Sequence, residues 1–368
     1  MENFVVSARK YRPQGFEEVV GQGHITTTLK NAIDNSHLAQ ALLFCGPRGV
    51  GKTTCARILA RLINNFEDNG REASNSLNIY ELDAASNNSV EDIRNLIDQV
   101  RYPPQQGKFK VYIIDEVHML SNQAFNAFLK TLEEPPSYAI FILATTEKHK
   151  VIPTILSRCQ IFDFNRIEID DIAQQLKKIA TTEGIEVEDD ALHLIAQKAD
   201  GALRDALSIF DLIVTFSSGN KITYQDTIKN LHVLDYDYFF QLVDQLKAGD
   251  VSQALLIYDK ILSEGFDGHN FVVGLAEHLR NLMVCKDPET VQLLKVSANV
   301  QSRYVDQSKN TSLSFIMSGL NILNMCDLNY KSSKNQRLHV ELALMKLGYI
   351  DQAINLAKSQ GAKKIATA

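Results

Sequence analysis

The stretch Gly46-Pro47-Arg48-Gly49-Val50-Gly51-Lys52-Thr53 directly follows the apolar run Ala41-Leu42-Leu43-Phe44-Cys45. It fits the pattern G-x-x-x-x-G-K-[ST], whose backbone N–H groups turn inward and cradle phosphate groups. The apolar run predicts a buried strand, and the residues after the loop predict a helix to about Ile63. From average residue usage, a chance match in a chain of this size is on the order of one in a hundred. The sequence therefore predicts a bound nucleoside triphosphate, ATP with Mg²⁺.

Two side chains of this loop have distinct expected roles at the phosphates. Lys52 is expected to reach the β- and γ-phosphates, and the Thr53 hydroxyl is expected to bind Mg²⁺. The alternative is a glycine turn without a ligand, but the strand before the loop and the helix after it argue against that. The predicted nucleotide-binding residues of this stretch are Gly46, Pro47, Arg48, Gly49, Val50, Gly51, Lys52, Thr53 and Thr54.

Short apolar runs and helical patterns alternate over the first 165 residues. Further strands are predicted at residues 78–83, at Lys110–Asp115 and at Ala139–Thr145. Ser89 opens one intervening helix with a capping box, and Ser121 caps the next, which Pro135-Pro136 ends. Such β–α alternation predicts a parallel sheet with helices on both faces.

From about Ile167 the strand signal fades and helical patterns take over. Helices are predicted at residues 169–183, 188–200 and 202–216, and a short helix begins at Thr223. A separate helical region runs from near Asp235 to about Ile350, with apolar residues at helical spacing. The sequence thus predicts an α/β domain followed by helical domains.

Composition narrows the class of protein. The formal net charge of -6 argues against a broad basic DNA-coating face, although a local basic groove is compatible with it. No apolar stretch is long enough to span a bilayer and the start does not fit a signal peptide, so we expect a cytoplasmic protein without membrane partners. The five cysteines form no CxxC pair, which predicts reduced thiols.

The acidic pair Asp115-Glu116 ends an apolar strand about sixty residues after the phosphate loop. Asp115 is expected to hold Mg²⁺, usually through water, and Glu116 is expected to orient the attacking water. The alternative, an acidic pair that caps the next helix, is weakened by the phosphate loop upstream. His118 completes an Asp-Glu-x-His pattern that some helicases share, and we interpret it as a structural histidine.

Three further positions have both a functional and an ordinary interpretation, and the spacing alone does not decide between them. Thr145-Thr146 ends the fourth strand, where a hydroxyl can bind the γ-phosphate or the attacking water, or can belong to a common strand threonine. Arg158 can reach a nucleotide held by a neighbouring subunit, or can be a solvated surface arginine. Arg204 can fold back onto the phosphates, or can pair with a nearby acid such as Asp205.

Several longer stretches give the sequence its resemblance to a known family. They are residues 8–13 (Ala-Arg-Lys-Tyr-Arg-Pro), Phe16, residues 20–22 (Val-Gly-Gln), 83–88 (Asp-Ala-Ala-Ser-Asn-Asn), 131–136 (Thr-Leu-Glu-Glu-Pro-Pro), 143–147 (Leu-Ala-Thr-Thr-Glu), 155–160 (Ile-Leu-Ser-Arg-Cys-Gln) and 201–207 (Gly-Ala-Leu-Arg-Asp-Ala-Leu). With the phosphate loop, they resemble the AAA+ ATPases and, more closely, the gamma/tau subunit of the bacterial DNA polymerase III clamp loader. The resemblance is dense over residues 1–230 and weaker beyond.

The resemblance implies an α/β P-loop AAA+ domain at residues 1–166, a helical lid at 167–232, an all-helical collar for oligomerisation at 233–355 and a flexible tail at 356–368. Thr146 becomes the sensor-1 residue, Arg158 the arginine finger acting in trans and Arg204 the sensor-2 arginine. Tyr11, Arg12 and Val20 lie near the adenine. The catalytic set implied is Lys52, Glu116, Thr146, Arg158 and Arg204.

The implied function is ATP-driven opening of a sliding clamp and its loading onto primed DNA, irrespective of DNA sequence. A ring of five is implied, with delta- and delta-prime-like subunits and further gamma/tau copies as partners. The family is classed with DNA-directed DNA polymerases, although this sequence contains no polymerase site. DNA contacts are expected at the helices begun by Asn88-Ser89, with Arg94, and by Ser121-Asn122.

Two features depart from the family pattern. Members usually carry four cysteines before the second strand that bind zinc, whereas residues 64–76 contain neither cysteine nor histidine. We therefore expect no zinc site. The chain also ends near the collar, as in a short gamma-like form or a truncated chain, whereas tau-type chains continue.

Three alternative functions share parts of this pattern. A Holliday-junction branch-migration motor would share the phosphate loop and the Asp-Glu-x-His pattern but would ignore the clamp. A non-hydrolysing structural subunit like delta-prime would have a degenerate loop, whereas Lys52, Thr53 and the acidic pair are intact. A DExH helicase would need a second RecA-like domain where the sequence predicts helices.

Overall fold

The computed structural model describes residues 5–64, 78–104, 107–217, 221–231, 234–294 and 296–353. The chain divides into two compact units between Ile222 and Thr223. The finer boundaries expected at residues 166 and 232 stay predictions, and the tail expected at 356–368 lies outside the described residues.

A five-stranded parallel sheet forms the centre of the first unit. Its strands are β1 (Ala41–Cys45), β2 (Ile79–Asp83), β3 (Lys110–Asp115), β4 (Ala139–Thr145) and β5 (Gln160–Asp163), in the order β2-β3-β4-β1-β5. Because β1 lies between β4 and β5, the phosphate loop leaves the sheet beside the end of β4. Because β3 also pairs with β4, the acidic pair at the end of β3 lies at the same carboxyl end of the sheet as the phosphate loop.

Both faces of this sheet are buried, which explains the unbroken apolar runs of its central strands. Leu43, Tyr112 and Phe141 pack into one core, and Leu42, Val111 and Ile140 pack into a second core. Successive side chains of a strand point to opposite faces, so each central strand supplies both cores. The predicted parallel sheet with helices on both faces is confirmed.

Nine helices are described in the first unit. They are α1 (Ser7–Lys10), α2 (Gly23–Asp34), α3 (Lys52–Ile63), α4 (Val90–Val100), α5 (Asn122–Glu133), α6 (Pro153–Leu156), α7 (Ile169–Glu183), α8 (Asp189–Lys198) and α9 (Leu203–Phe216). Ser89 and Asp92 form the predicted capping box, and the Ser121 hydroxyl accepts from the Ala124 amide at 3.2 Å. Such caps satisfy amides that the first helical turn leaves free.

One small feature of the first unit runs against the sequence prediction of an all-helical stretch after Ile167. The two-residue strands β6 (Glu186–Val187) and β7 (Lys221–Ile222) pair in parallel. Strands this short present no alternation of apolar and polar residues, so periodicity cannot reveal them.

The second unit is all-helical in its described residues. Its helices are α10 (Tyr224–Leu231), α11 (Tyr236–Ala248), α12 (Val251–Ser263), α13 (Gly268–Val284), α14 (Ala298–Lys309), α15 (Leu313–Tyr330) and α16 (Gln336–Gly348). The aromatic side chains of Tyr258, Phe271 and Phe315 are fully buried in its core. None of the described helices has the length and apolar character needed to cross a membrane.

The core of the second unit encloses a polar cluster around His278. Its Nδ1 lies 3.0 Å from the Tyr304 hydroxyl and its Nε2 lies 2.8 Å from Gln307 Oε1. Burial lowers the pKa of His278 to about 4, so its imidazole is neutral at pH 7. Both ring nitrogens of this histidine have neutral hydrogen-bond partners, as expected of a structural group.

All five cysteines are unpaired, as the sequence predicts. Burial raises the pKa of Cys45 to about 11 and that of Cys55 to about 12, which keeps both thiols protonated.

Candidate functional site

The phosphate loop connects the end of β1 to the first turn of α3. Gly46 has φ 148° and Gly51 has φ 105°, values in the region that favours glycine. A Cβ at Gly46 would clash with the carbonyl oxygen of Phe164, so the backbone itself requires glycine there. Local backbone geometry therefore explains two of the glycines of the motif.

Lys52 is folded against the loop. Its side chain is buried, and Nζ donates to the carbonyl oxygens of Gly46 at 2.8 Å and Pro47 at 2.7 Å. Burial lowers the pKa of Lys52, and the carboxylates of Glu116 and Asp115 act against that shift. The ammonium group is thus held at the loop and oriented by carbonyl oxygens that an incoming anion can replace.

Thr53 and Asp115 meet where α3 begins and β3 ends. The Thr53 hydroxyl donates to Asp115 Oδ2 at 2.6 Å. A hydroxyl and a carboxylate oxygen are the hard oxygen ligands that Mg²⁺ prefers, and such sites usually need few protein ligands. The donor set at this position therefore fits Mg²⁺.

Glu116 follows Asp115 in a left-handed backbone conformation, with φ 48° and ψ 45°. A non-glycine residue there costs roughly 1–3 kcal/mol, so neighbouring contacts must hold it. Glu116 Oε2 accepts from the amide of Thr146 at 3.2 Å and from its hydroxyl at 2.9 Å. Thirty residues apart in sequence, these two predicted site residues are joined directly.

A cleft of about 600 Å³ opens beside the loop and collects most of the predicted residues. Those that line it are Tyr11, Arg12, Val20, Arg48, Gly49, Val50, Gly51, Lys52, Thr53, Thr54, Asp115, Glu116 and Arg204. The predicted residues outside its lining are Gly46, Pro47, Thr146 and Arg158. Gly46 and Pro47 still contribute to the site, because their carbonyl oxygens hold Lys52.

The residues expected near the adenine lie in the cleft with different surroundings. Arg12 donates through Nε to the Thr54 hydroxyl at 3.2 Å, and burial lowers the pKa of its guanidinium, with further lowering from Arg57. The Tyr11 hydroxyl donates to Glu183, and burial raises its pKa.

The sequence reading missed several residues that line the cleft. They are Val6, Ala8, Arg9, Pro13, Val19, Arg57, Glu81, Asp83, Ile167, Leu203 and Leu207. Arg57 and Glu81 form an ion pair across the cleft wall at 2.6 Å. The apolar members come from segments far apart in sequence; some lie in the stretches 8–13 and 201–207 that carry the family resemblance, but their apolar side chains gave no separate signal of a site. They give the cleft the apolar wall that a base would contact.

Arg158 and Arg204, for each of which the sequence allows two roles, lie in different places. Arg204 lines the cleft, and its amide lies 3.4 Å from the Gly49 carbonyl oxygen. Arg158 lies outside the cleft lining, where its guanidinium donates to Glu133 and to the Thr154 carbonyl oxygen at 2.6 Å. Arg158 is thus partly exposed and held by contacts within its own chain, whereas Arg204 lines the cleft.

The expectation of no zinc concerns a segment that lies almost wholly outside the described residues. Among residues 5–64, 78–104 and the later described ranges, no group of three His, Cys, Asp or Glu side chains could hold a metal ion. The segment that carries the expectation, residues 64–76, lies outside the described residues beyond Asn64. The absence of zinc therefore stays a prediction.

Three family models match successive parts of the chain. The model "DNA polymerase III, delta subunit" matches residues 21–168, and "DNA polymerase III clamp loader subunit, ATPase lid domain" matches residues 171–219. The model "DNA polymerase III subunits gamma and tau domain III" matches residues 222–360. With the parallel sheet, these matches confirm the predicted fold class of an AAA+ domain, a helical lid and an all-helical domain.

Similar solved structures are more distant. The Thermotoga maritima RuvB Holliday junction branch migration motor matches with TM-score 0.49 and 21% identity, over 64% of this chain and 79% of that one. The Bacillus subtilis DNA clamp loader delta protein matches with TM-score 0.39 and 15% identity, over 88% of this chain and 99% of that one.

Similar sequences of known name are DNA polymerase III subunits. Subunit tau of Bacillus subtilis is 38% identical over 92% of this chain and 62% of the relative, and subunit tau of Escherichia coli is 41% identical over 74% and 44%. The chain thus spans about half the length of these tau relatives. Subunit gamma of Buchnera aphidicola is 34% identical over 94% of this chain and 97% of the relative. By this near-complete match and the three family models, the chain belongs to the gamma/tau family of DNA polymerase III clamp-loader subunits.

Proposed function

We propose that this chain is an ATP-hydrolysing clamp-loader subunit that uses nucleotide binding to open a sliding clamp and load it onto primed DNA. The observation that carries the proposal is the meeting of Lys52, the Thr53–Asp115 pair and the Glu116–Thr146 pair at one edge of the sheet. A phosphate-binding lysine, a magnesium position and a water-orienting acid are the parts that P-loop hydrolysis needs.

ATP binding is assigned to the cleft beside the loop. The triphosphate would replace the carbonyl contacts of Lys52, and Arg204 would contact it from the lid side. Tyr11, Arg12 and Val20 would surround the base together with the apolar wall. Arg12, Arg48 and Arg204 line the cleft and place positive charge there, which favours an anionic ligand.

Thr53 and Asp115 would hold Mg²⁺, the latter usually through water. When bound, the ion would supply positive charge that offsets the negative charge of the phosphates. The chain's own contribution is to fix these two oxygens 2.6 Å apart at the loop.

Hydrolysis is assigned to Glu116 and Thr146, with Arg158 of a neighbouring subunit. Glu116 would orient and polarise the attacking water. Thr146 would contact the γ-phosphate or that water, and Arg158 would stabilise charge on the phosphoryl group in trans. The position of Arg158 outside the cleft of its own chain supports the trans assignment. An isolated chain should therefore hydrolyse ATP slowly.

The partners proposed are delta- and delta-prime-like subunits, further gamma/tau copies, the sliding clamp and primed DNA, in a ring of five and in the cytoplasm. The N-termini of α4, with Ser89 and Arg94, and of α5, with Ser121 and Asn122, are the candidate DNA contacts. Binding through phosphates should be insensitive to sequence and should weaken steeply with salt.

Replacing Lys52 with alanine should abolish nucleotide binding or hydrolysis. Truncating one member of a buried charged contact costs about 2–5 kcal/mol, so the ATP affinity should fall at least about thirtyfold. Equilibrium binding of a fluorescent ATP analogue measures this. The Lys30→Ala variant, which removes an exposed lysine paired with Glu17, should bind as the parent chain does. A Lys52→Ala chain whose ATP binding and ATP hydrolysis both match those of the parent chain would overturn the assignment of the site.

A further inference from the structure

The corner between the ends of β3 and β4 contains a histidine that the assignment above does not use. After Glu116 the chain makes a short 3-10 turn, Val117–Met119, which places His118 beneath the end of β4. The side chain of His118 is 6% exposed, so its ring is buried between the ends of β3 and β4. A buried imidazole needs polar partners for its nitrogens, and those partners reveal its role.

The partners of His118 come from three separate segments. Nδ1 lies 2.9 Å from the Thr145 hydroxyl and 3.5 Å from Glu116 Oε2. Nε2 lies 3.5 Å from Glu147 Oε1, in the loop that follows β4. The imidazole therefore lies between two carboxylates and joins the acid-bearing turn to the end of β4.

The hydroxyl that meets the ring is itself fixed. Thr145 is fully buried, and its Oγ1 accepts from the Glu147 amide at 3.0 Å. Thr146, the next residue, is the one that donates to Glu116 Oε2. His118 thus contacts Thr145, which directly precedes the residue that donates to Glu116. Its Nδ1 also lies near Glu116 Oε2, the oxygen that accepts from Thr146.

The contrast with His278 separates this arrangement from an ordinary core histidine. His278 contacts a tyrosine hydroxyl and a glutamine oxygen, both neutral. His118 instead lies against Glu116, which lines the nucleotide cleft. A side chain that fixes the position of a reacting residue can raise the reaction rate without touching the substrate, because small misplacements of reacting groups lower the rate strongly.

We propose that His118 is a positioning residue for Glu116, fixing its carboxylate through the Thr145–Thr146 segment and by direct contact. This inference rests on the proposed role of Glu116 in ATP hydrolysis. It assigns His118 a role in the chemical step and none in nucleotide binding, and so replaces its interpretation as a purely structural histidine.

The test compares His118→Ala, His118→Asn and the parent chain, each assembled with delta- and delta-prime-type subunits and given primed DNA. For His118→Ala, kcat should fall up to about a hundredfold while KM for ATP stays within about twofold. His118→Asn, whose amide can reach the Thr145 hydroxyl, should recover part of that kcat. His149→Ala is the matched control, because His149 lies 3.5 Å from Glu147 Oε2 but is 77% exposed, and its kcat should be unchanged.

A double-variant comparison shows whether His118 acts through Glu116. In a Glu116→Gln background, adding His118→Ala should change the single-turnover rate by less than about twofold. A full additional loss there, or a parent-like kcat for His118→Ala alone, would overturn the inference. If Glu116→Gln itself leaves hydrolysis intact, the proposed function fails instead.

Should His118→Ala fail to fold, Thr145→Val removes the hydroxyl that meets Nδ1 while keeping a similar side-chain volume. It should lower kcat about tenfold without a matching rise in KM, and Thr145→Ser should retain activity. A parent-like kcat for a folded Thr145→Val chain would count against the positioning role.

Discussion

Replacing Arg158 with alanine should lower DNA-stimulated ATP hydrolysis in the assembled complex by about 10³-fold or more, within the ~10³–10⁵ range for arginine fingers, while ATP binding is unchanged. The guanidinium lies outside the cleft of its own chain, so its loss should leave nucleotide contacts intact. Within its own chain the guanidinium is held by Glu133 and the Thr154 carbonyl oxygen. Parallel measurements of ATP affinity and turnover check both parts of this expectation.

A control and a mixing experiment distinguish action in trans from general damage. Arg101→Ala removes an exposed arginine that is likewise paired with an acid, Asp98, and should turn over normally. Mixed assemblies of Arg158→Ala and Glu116→Gln chains should regain part of the activity, because some interfaces then combine an intact Arg158 with an intact Glu116. Normal hydrolysis by Arg158→Ala assemblies would dismiss the finger role.

Replacing Glu116 with glutamine should slow hydrolysis by roughly 10²–10⁴-fold and leave ATP bound. The amide keeps an oxygen that can accept from Thr146, so the geometry of the corner should survive while the negative charge proposed to polarise water is lost. Single-turnover hydrolysis and retention of labelled ATP on the complex measure the two effects.

Glu147→Gln is the matched control for this substitution. Glu147 is a neighbouring carboxylate that also faces His118, but it does not line the cleft. A hydrogen bond from Lys150 lowers its pKa, so it carries charge at pH 7 as a control should. Its substitution should slow hydrolysis far less than that of Glu116. Equal losses in the two variants would mean that charge at this corner, and not a specific base, sets the rate.

The sheet of the first unit could be predicted from sequence because its strands are buried on both faces. Runs such as Lys110–Asp115 and Ala139–Thr145 stand out between polar segments, and their bounds agree with the structure. Capping residues marked the starts of α4 and α5 equally well. The pair β6 and β7 escaped prediction because two residues carry no period.

Spacing alone predicts the candidate site only where its residues are close in sequence, whereas Tyr11, Arg12, Val20 and Arg204 were expected there from the family resemblance. The phosphate loop and the acidic pair follow strands, so their spacing carries the information. The contact between Thr146 and Glu116 depends on β3 and β4 being neighbours, which no local pattern encodes. The apolar wall of the cleft and the environment of His118 likewise arise from tertiary packing. The sequence alone therefore indicated only a structural histidine at position 118.

The most direct test of the central claim is the ATPase rate of the chain assembled with delta- and delta-prime-type subunits, measured with and without sliding clamp and primed DNA. If the chain is an ATP-driven clamp-loader subunit, clamp and primed DNA together should stimulate turnover, and stimulation should disappear in Lys52→Ala assemblies. An ATPase rate that responds to neither clamp nor primed DNA would contradict the account, and junction movement without any response to the clamp would favour a branch-migration motor.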